Sequence, residues 1–389
     1  MKSTKANVVI LIIGIFLLIG GATCITLGVL MPGKEGPKII FPEVPTVSEE
    51  KPNRIFNVLT GEEIDNADLN STPTYCIQTP NGTDGARPQV GLKQAKVVFE
   101  AIAEAGITRF AAIYQNPTSA VIGPIRSLRL YYLEWDTPFD CTIVHAGGAD
   151  IAIAAVRAGG YKDLTENYYY MYRGTAAARR WNNLFTTSAN LARMNLDWSL
   201  GGSHPKGFTR LKPEEARKQR INTLAKNPLK ITEPTEADTD LLVPDVSEIN
   251  FRYGYTASYN VHYTYNVATN SYDRSYASGA PHEVYECPNE DLGEKNPEDV
   301  CTLSVLSPKV VIAMIVSEGK AADNYHESIR TSGTGRAYIF QLGTVTIGTW
   351  SKPTRDEQIS FLDEQGNEIK LIPGQTFISA IPEYGGVEY

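Results

Sequence analysis

The apolar pattern begins with an unbroken run, Val8 to Met31, that carries no charged side chain. At about 1.5 Å per residue such a run spans roughly 36 Å as a helix, more than a hydrocarbon core of about 30 Å. It predicts a single transmembrane helix over 7–31 behind a short cytoplasmic tail, 1–6. The run is too long for the apolar core of a cleavable signal peptide and lacks a small-x-small cleavage site. Pro32 to Pro52 then holds five prolines, two glycines and no apolar periodicity, which predicts an extended spacer over 32–52.

From Asn53 onward, short strand-like runs alternate with helical ones. Thr74 to Gln78, Arg109 to Tyr114 and Cys141 to His145 read as strands; Gly91 to Ala105, Ile125 to Trp135, Asp150 to Ala158 and Ser188 to Met194 read as helices. That rhythm predicts an α/β N-terminal domain over 53–200 with a small, mostly parallel sheet. Residues 201–250 change texture. A basic helical stretch, PEEARKQRINTLAK, is followed by a Thr-, Pro- and acid-rich run, and the segment reads as an inter-domain excursion. The helix carries its acids in the first turn, as the macrodipole favours, so its charges read as a solvated face. From Phe251 the pattern is β: YTASYNVHYTYNV alternates, SYDRSY returns, and VVIAMIV, AYIFQLG and VTIGTW follow. A mostly β C-terminal domain over 251–389 is expected.

Charge and composition narrow the partners. With 36 Lys and Arg against 44 Asp and Glu the formal charge is −8, which opposes a general grip on polyanions and argues against nucleic acid. Lys2 and Lys5 precede the apolar run, while Lys34 and Lys38 after it are partly offset by Glu35. The bias places the N-terminus in the cytoplasm and makes the chain a single-pass protein of the cell membrane with an extracytoplasmic ectodomain. Tyrosine, at 21 against 12 phenylalanines, suits strand faces and half-wet surfaces. Five cysteines fit an oxidising compartment. Cys287 and Cys301 flank a polar loop that a disulfide would restrain, whereas Cys76 and Cys141, inside apolar runs, read as buried core thiols.

Three stretches carry chemical potential. A helix from Gly91 would set Lys93, Lys96, Glu100 and Glu104 on one arc. Two carboxylates a turn apart could do acid and base work, but Lys96, four residues before Glu100, makes a solvated ion-pair face the more economical reading. In GPIRSLRLYYLEW, Arg126 and Arg129 flank Ser127 near an expected helix start, where guanidinium forks and free N–H groups favour a carboxylate or phosphate. The alternative pairs these arginines with Glu134, Asp136 or Glu100. In CTIVHAGGAD, His145 and Gly147-Gly148 end a strand at the carboxyl edge where open α/β sheets bind ligands; a histidine there can be a base, a ligand contact or a hydrogen-bonded structural residue. HAGG is not GxGxxG, no P-loop or GxSxG elbow occurs, and the five histidines never sit at metal-ligand spacing, so neither a cofactor nor a metal is called for.

At GLKQAKVVFEAIAEAGITRFAAIYQ, VIGPIRSLRLYYLEW and IVHAGGAD, and later at LFTTSANL, YNVHYTYNVATNSYDRSY, GTGRAYIFQLGTVTIGTWSKP and ISFLDEQGNEIKLIPGQTFI, the chain resembles the YerB-like lipoproteins. This bacterial family is defined by a domain of unknown function, DUF3048, with N- and C-terminal domains. The resemblance spans roughly Asn57 to Pro382. It implies an α/β domain followed by a β-rich one, attachment at the outer face of the cytoplasmic membrane, and no established reaction. Its polar positions here are Glu100, Glu104, Arg109, Arg126, Ser127, Arg129 and His145. The chain departs from the family at Thr79-Pro80-Asn81, where an Asp-Asn is expected, and at Asn182-Asn183, where a His-Asn pair is expected. Gly21-Ala22-Thr23 before Cys24 is also a poor lipobox, which favours a transmembrane anchor over a lipid.

The leading expectation is therefore a cell-envelope protein that binds an anionic ligand or wall-polymer fragment at a rim of Arg126, Ser127, Arg129, His145, Gly147 and Gly148. One alternative is an envelope hydrolase or transferase using His145 with Glu100 or Glu104. Another is a structural protein that docks a second envelope protein.

Overall fold

The computed structural model describes residues 54–225, 243–254, 256–290 and 293–389. The tail, span and spacer expected over 1–52 lie outside these residues. Among the described residues no helix is long and apolar enough to cross a membrane.

Asn53 to Tyr389 forms one compact unit. Its first half contains β1 (Thr74–Pro80), β2 (Val97–Glu104), β3 (Ile107–Gln115), α1 (Leu130–Asp136), β4 (Thr142–Val144), α2 (Asp150–Ala158), β5 (Asp163–Leu164), α3 (Ser188–Asp197) and α4 (Pro213–Ala225). The second half contains β6 (Glu248–Arg252), β7 (Val261–Asn266), β8 (Ser271–Tyr276), β9 (Val310–Val316), β10 (Gly333–Gln341), β11 (Thr344–Lys352), β12 (Ser360–Leu362), β13 (Thr376–Pro382) and β14 (Gly386–Glu388).

One ten-stranded sheet runs through both halves in the order β12-β11-β10-β9-β13-β2-β3-β1-β4-β5. The seam is parallel: β13 lies beside β2 with Thr376 opposite Val97. Apolar clusters cover both faces at the centre, with Phe99 in one and Val98 in the other. A strand buried on both faces reads as a continuous apolar run rather than an alternating one. The smaller antiparallel sheet, β8-β7-β6-β14, has one wet face. Along β7 Val261, Tyr263 and Tyr265 are buried while Thr264 is exposed, the period-2 signature visible in the sequence.

The mostly parallel sheet expected for the first half is instead mixed. β1 pairs parallel with β4, but β3 pairs antiparallel with both β1 and β2. The cause is the segment expected as a helix over Gly91 to Ala105, which forms β2. Its polar arc does not exist, because Lys93 and Lys96 precede the strand and Glu100 is wholly buried. Ala105 and Gly106, both at positive φ (49° and 76°), make the two-residue turn that returns the chain as β3. A β-carbon at Gly106 would meet Thr256 Oγ1 at 2.5 Å, so the turn needs glycine there.

The helix expected from Ile125 begins only at Leu130. Residues before it are extended because their amides are taken by neighbours: Arg126 N–H by Gln78 O at 2.7 Å and Leu128 N–H by Gly147 O at 2.9 Å. α2 keeps the bounds its pattern predicts.

Cys76 and Cys141 are not free thiols but a disulfide across 65 positions, with Cα atoms 5.7 Å apart. The parallel pairing of β1 with β4 sets Cys76 beside Ile143 and brings Cys141, just before β4, within reach. A second disulfide joins Cys287 to Cys301. Phe208 and Leu211, between α3 and α4, enter the core cluster that holds Phe99.

Candidate functional site

Two loops meet at the edge of the sheet and build the rim. Residues 126–129 run alongside 146–149: Ala146 N–H donates to Arg126 O at 3.0 Å and Ala149 N–H to Leu128 O at 3.2 Å. Gly148 permits this approach, since a β-carbon there would sit 2.9 Å from Leu128 O. Gly147, at φ +67°, faces open space. Ser127 Oγ donates to Ala146 O at 3.1 Å, which spends its proton on the backbone.

The arginines of the rim differ in what they do. Arg129 is buried and its guanidinium donates to Glu104 at 2.6 Å and to Leu128 O at 2.9 Å. Arg109, on β3, meets the other Glu104 oxygen at 2.9 Å and Ser127 O at 2.6 Å. Two guanidiniums thus share one carboxylate and staple the 126–129 segment to the β2–β3 hairpin. Burial alone would raise the Glu104 carboxyl, but the two guanidiniums outweigh it and hold the group below its ordinary range. Arg126 is half-buried, and among the described residues its side chain is held only through Nε, which donates to Asn182 Oδ1 at 3.0 Å. Burial first, then the positive charges of Arg109 and Arg173, pull its pKa down.

The acids foreseen as partners for these arginines are engaged elsewhere. Glu134 accepts from Thr331, Asp136 from Gln78 at 2.9 Å, and Glu100 from Arg274 at 2.7 Å. His145 closes the turn after β4: Nδ1 faces Gly147 O and Nε2 faces Asp163, each at 2.7 Å. Both ring nitrogens meet acceptors and only about 1% of the side chain is exposed, so the imidazole orders the glycine turn.

Glu100 belongs to a separate, wholly buried network. Besides Arg274 it accepts from Thr108 at 2.8 Å. Arg274 also donates to His282 Nδ1. Arginine has no acceptor, so His282 keeps its proton on Nε2 and donates a hydrogen bond to Gln89 Oε1 at 2.8 Å. Burial and the Arg274 charge push this histidine well below its ordinary value. Arg274 and His282 were not legible beforehand, because only the tertiary fold brings β8 against β2.

A cleft of about 530 Å³ opens past the β2–β3 turn, lined by Ile102, Gly106, Glu318, Lys320, Glu327 and Tyr384 among others. Tyr384 donates to Glu318, and Lys320 pairs with Glu327. Burial and the neighbouring Glu327 raise the Glu318 carboxyl above its usual range. Its only sequence signal is the charged SEGK run. Among the described residues no group of His, Cys, Asp and Glu side chains is arranged to hold a metal ion.

Comparison with known proteins agrees with this architecture. Residues 59–198 match the family described as "Protein of unknown function (DUF3048) N-terminal domain" and residues 249–378 match its C-terminal domain. The chain is 24% identical over 306 residues to a Bacillus subtilis (strain 168) protein named as lipoprotein YerB, covering 78% of this chain and 80% of that one. The crystal structure of YerB protein from Bacillus subtilis superposes with a TM-score of 0.65 at 18% identity, covering 86% of this chain and all of that one. At that identity the likeness speaks for the fold. The chain belongs to the YerB-like family defined by the DUF3048 N- and C-terminal domains.

Proposed function

We propose that this protein is a membrane-anchored, extracytoplasmic component of the cell envelope that binds an anionic ligand at the Arg126 rim. The lipoprotein name of its relative supports a membrane-associated, extracytoplasmic setting. The uncharged run Val8 to Met31 supports a single-pass anchor with its N-terminus in the cytoplasm.

The observation that carries the ligand reading is a local excess of positive charge. Arg109 and Arg129 share Glu104, and Arg126 beside them has no ion pair among the described residues. A carboxylate or phosphate laid against Arg126 would meet a planar guanidinium next to the open Gly147 turn and relieve that excess. A hydrolase built on His145 with Glu100 or Glu104 fits less well, because neither glutamate is a hydrogen-bond partner of the ring and both ring nitrogens are engaged. Calorimetric titration of the full-length chain in detergent with a short glycerol-phosphate oligomer tests the reading. Binding that weakens with salt is expected; no heat at any ionic strength overturns it.

A further inference from the structure

A second cationic side chain lies in a pocket whose lining shares no residue with the rim. Arg87 sits in a cavity of about 390 Å³ walled by Thr83, Ala257, Ser258, Tyr276, Ala277 and Ser278. Its guanidinium lies 3.8 Å from the centroid of the Tyr276 ring and 5.3 Å from that of Tyr259. Nε donates to Asn81 Oδ1 at 2.9 Å. The two terminal nitrogens reach only Ser258 O, at 3.5 and 3.4 Å, the far limit of a hydrogen bond. Among the described residues Arg87 has no ion pair.

The charge beneath this pocket does not balance. Arg274 and Glu100 neutralise one another at 2.7 Å with neither side chain exposed. His282, between Arg274 and Gln89, stays neutral. Arg87 is therefore a half-buried cation over a core that has no spare negative charge, and burial and Arg274 both lower its pKa. The other wall carries the complementary defect: among the described residues Tyr276 Oη is buried with no hydrogen-bond partner. Burial pushes this phenol up to about 12, so it remains a neutral donor. A buried hydroxyl without a partner costs on the order of a hydrogen bond's desolvation, and an acceptor that the ring turns to meet removes that cost. Thr83, Ser258 and Ser278 bring further hydroxyl groups to the same walls.

We infer that the pocket between Arg87 and Tyr276 binds an oxyanion, a phosphate or carboxylate carried on a hydroxylated body such as a sugar. Two opposed features need the same thing there, a compact group that is negative and accepts several hydrogen bonds. The guanidinium fork meets two of its oxygens, and Tyr276, by turning its closed-off Oη toward the pocket, donates to it from the side. The body has somewhere to go. A cavity of about 420 Å³ shares Tyr276 and Ala277 as walls and is lined by Asn250, Asn260, His262 and Ser275. Amide, imidazole and hydroxyl groups of this kind suit the hydroxyls of a carbohydrate.

The test uses the full-length chain in detergent, titrated calorimetrically with inorganic phosphate, glucose 6-phosphate, glucuronate and glucose. Either anionic sugar should bind at least tenfold more tightly than glucose, and which of the two prevails separates phosphate from carboxylate. Arg87→Gln should weaken that binding at least tenfold. Tyr276→Phe keeps the ring under Arg87 and removes only the unpartnered hydroxyl, so it should weaken binding about threefold with the melting temperature unchanged. Arg157→Gln, at an exposed arginine that lines neither this pocket nor the rim, should leave it intact. If wild type binds neither anionic sugar, or if Tyr276→Phe binds as wild type does, the assignment is wrong.

Discussion

Glu100 on β2 and Arg274 on β8 meet at 2.7 Å, 174 positions apart in the chain, with neither side chain touching solvent. The pair crosses from the main sheet to the smaller one and so pins the two halves together from within. Its remaining valences are largely used: Glu100 also takes Thr108, and Arg274 also takes His282 and lies 5.6 Å from the centroid of the Phe110 ring.

Breaking this pair on one side should be severe. Arg274→Met leaves a buried carboxylate with no cation and is expected to destabilise the fold by about 3–5 kcal/mol. Urea unfolding of the two proteins measures this as a lower midpoint at unchanged slope. A midpoint equal to that of wild type would mean that the pair holds nothing.

The disulfides should contribute unequally. Cys76–Cys141 closes 65 positions and Cys287–Cys301 closes 14. In the chain-entropy account these correspond to about 4 and about 3 kcal/mol. Replacing the first pair by alanine should therefore lower the melting temperature more than replacing the second, and non-reducing peptide mapping should recover both links. Free Cys76 and Cys141 in oxidised protein would contradict the β1–β4 register.

How much of this was readable depended on how each element meets water. β7 alternates because one face is wet, and α2 carries a one-sided apolar stripe; both were legible. β2 was not. Buried on both faces, it offers no period of two, and Lys96, Glu100 and Glu104 four apart imitate a helical face. The turn at Ala105-Gly106 was the one local signal against a helix. At the rim, the sequence brought Arg126, Ser127 and the Gly147-Gly148 turn into one neighbourhood, but could not tell that Arg129 would spend its charge on Glu104. The pairings of Arg274 with Glu100 and of Cys76 with Cys141 depend on strand neighbours far apart in the chain, which local patterning does not encode.

Asp136 supplies a pH test. Gln78 donates to Asp136 Oδ2, while Asp136 Oδ1 and Gln78 Oε1 are buried with no partner among the described residues. Burial pushes this carboxyl well above its ordinary range, and a proton on Oδ1 is the donor the group otherwise lacks. Because the folded value lies above the unfolded one, the stabilisation is fully present below about pH 4 and is lost as pH rises through the folded value. Asp136→Asn carries a permanent donor of the same shape. At pH 8 it should be more stable than wild type by about 1–3 kcal/mol, with the advantage shrinking towards pH 4. Urea midpoints at the two pH values decide it, and a variant less stable at pH 8 would contradict the protonated carboxyl.

The rim itself is tested most directly by setting Arg126 against Arg129. Arg126 is half-buried and, among the described residues, its side chain is held by one hydrogen bond, to Asn182; Arg129 is buried and bound to Glu104. The measurement is a calorimetric titration of a glycerol-phosphate oligomer into wild type, Arg126→Lys and Arg129→Lys, with the melting temperature of each. Arg126→Lys should weaken binding about tenfold at an unchanged melting temperature, since lysine cannot reproduce the planar fork. Arg129→Lys should lower the melting temperature, because it disturbs the Glu104 staple. Binding that survives Arg126→Lys undiminished, or an Arg126→Lys protein that melts earlier than Arg129→Lys, would contradict an anion site at this rim.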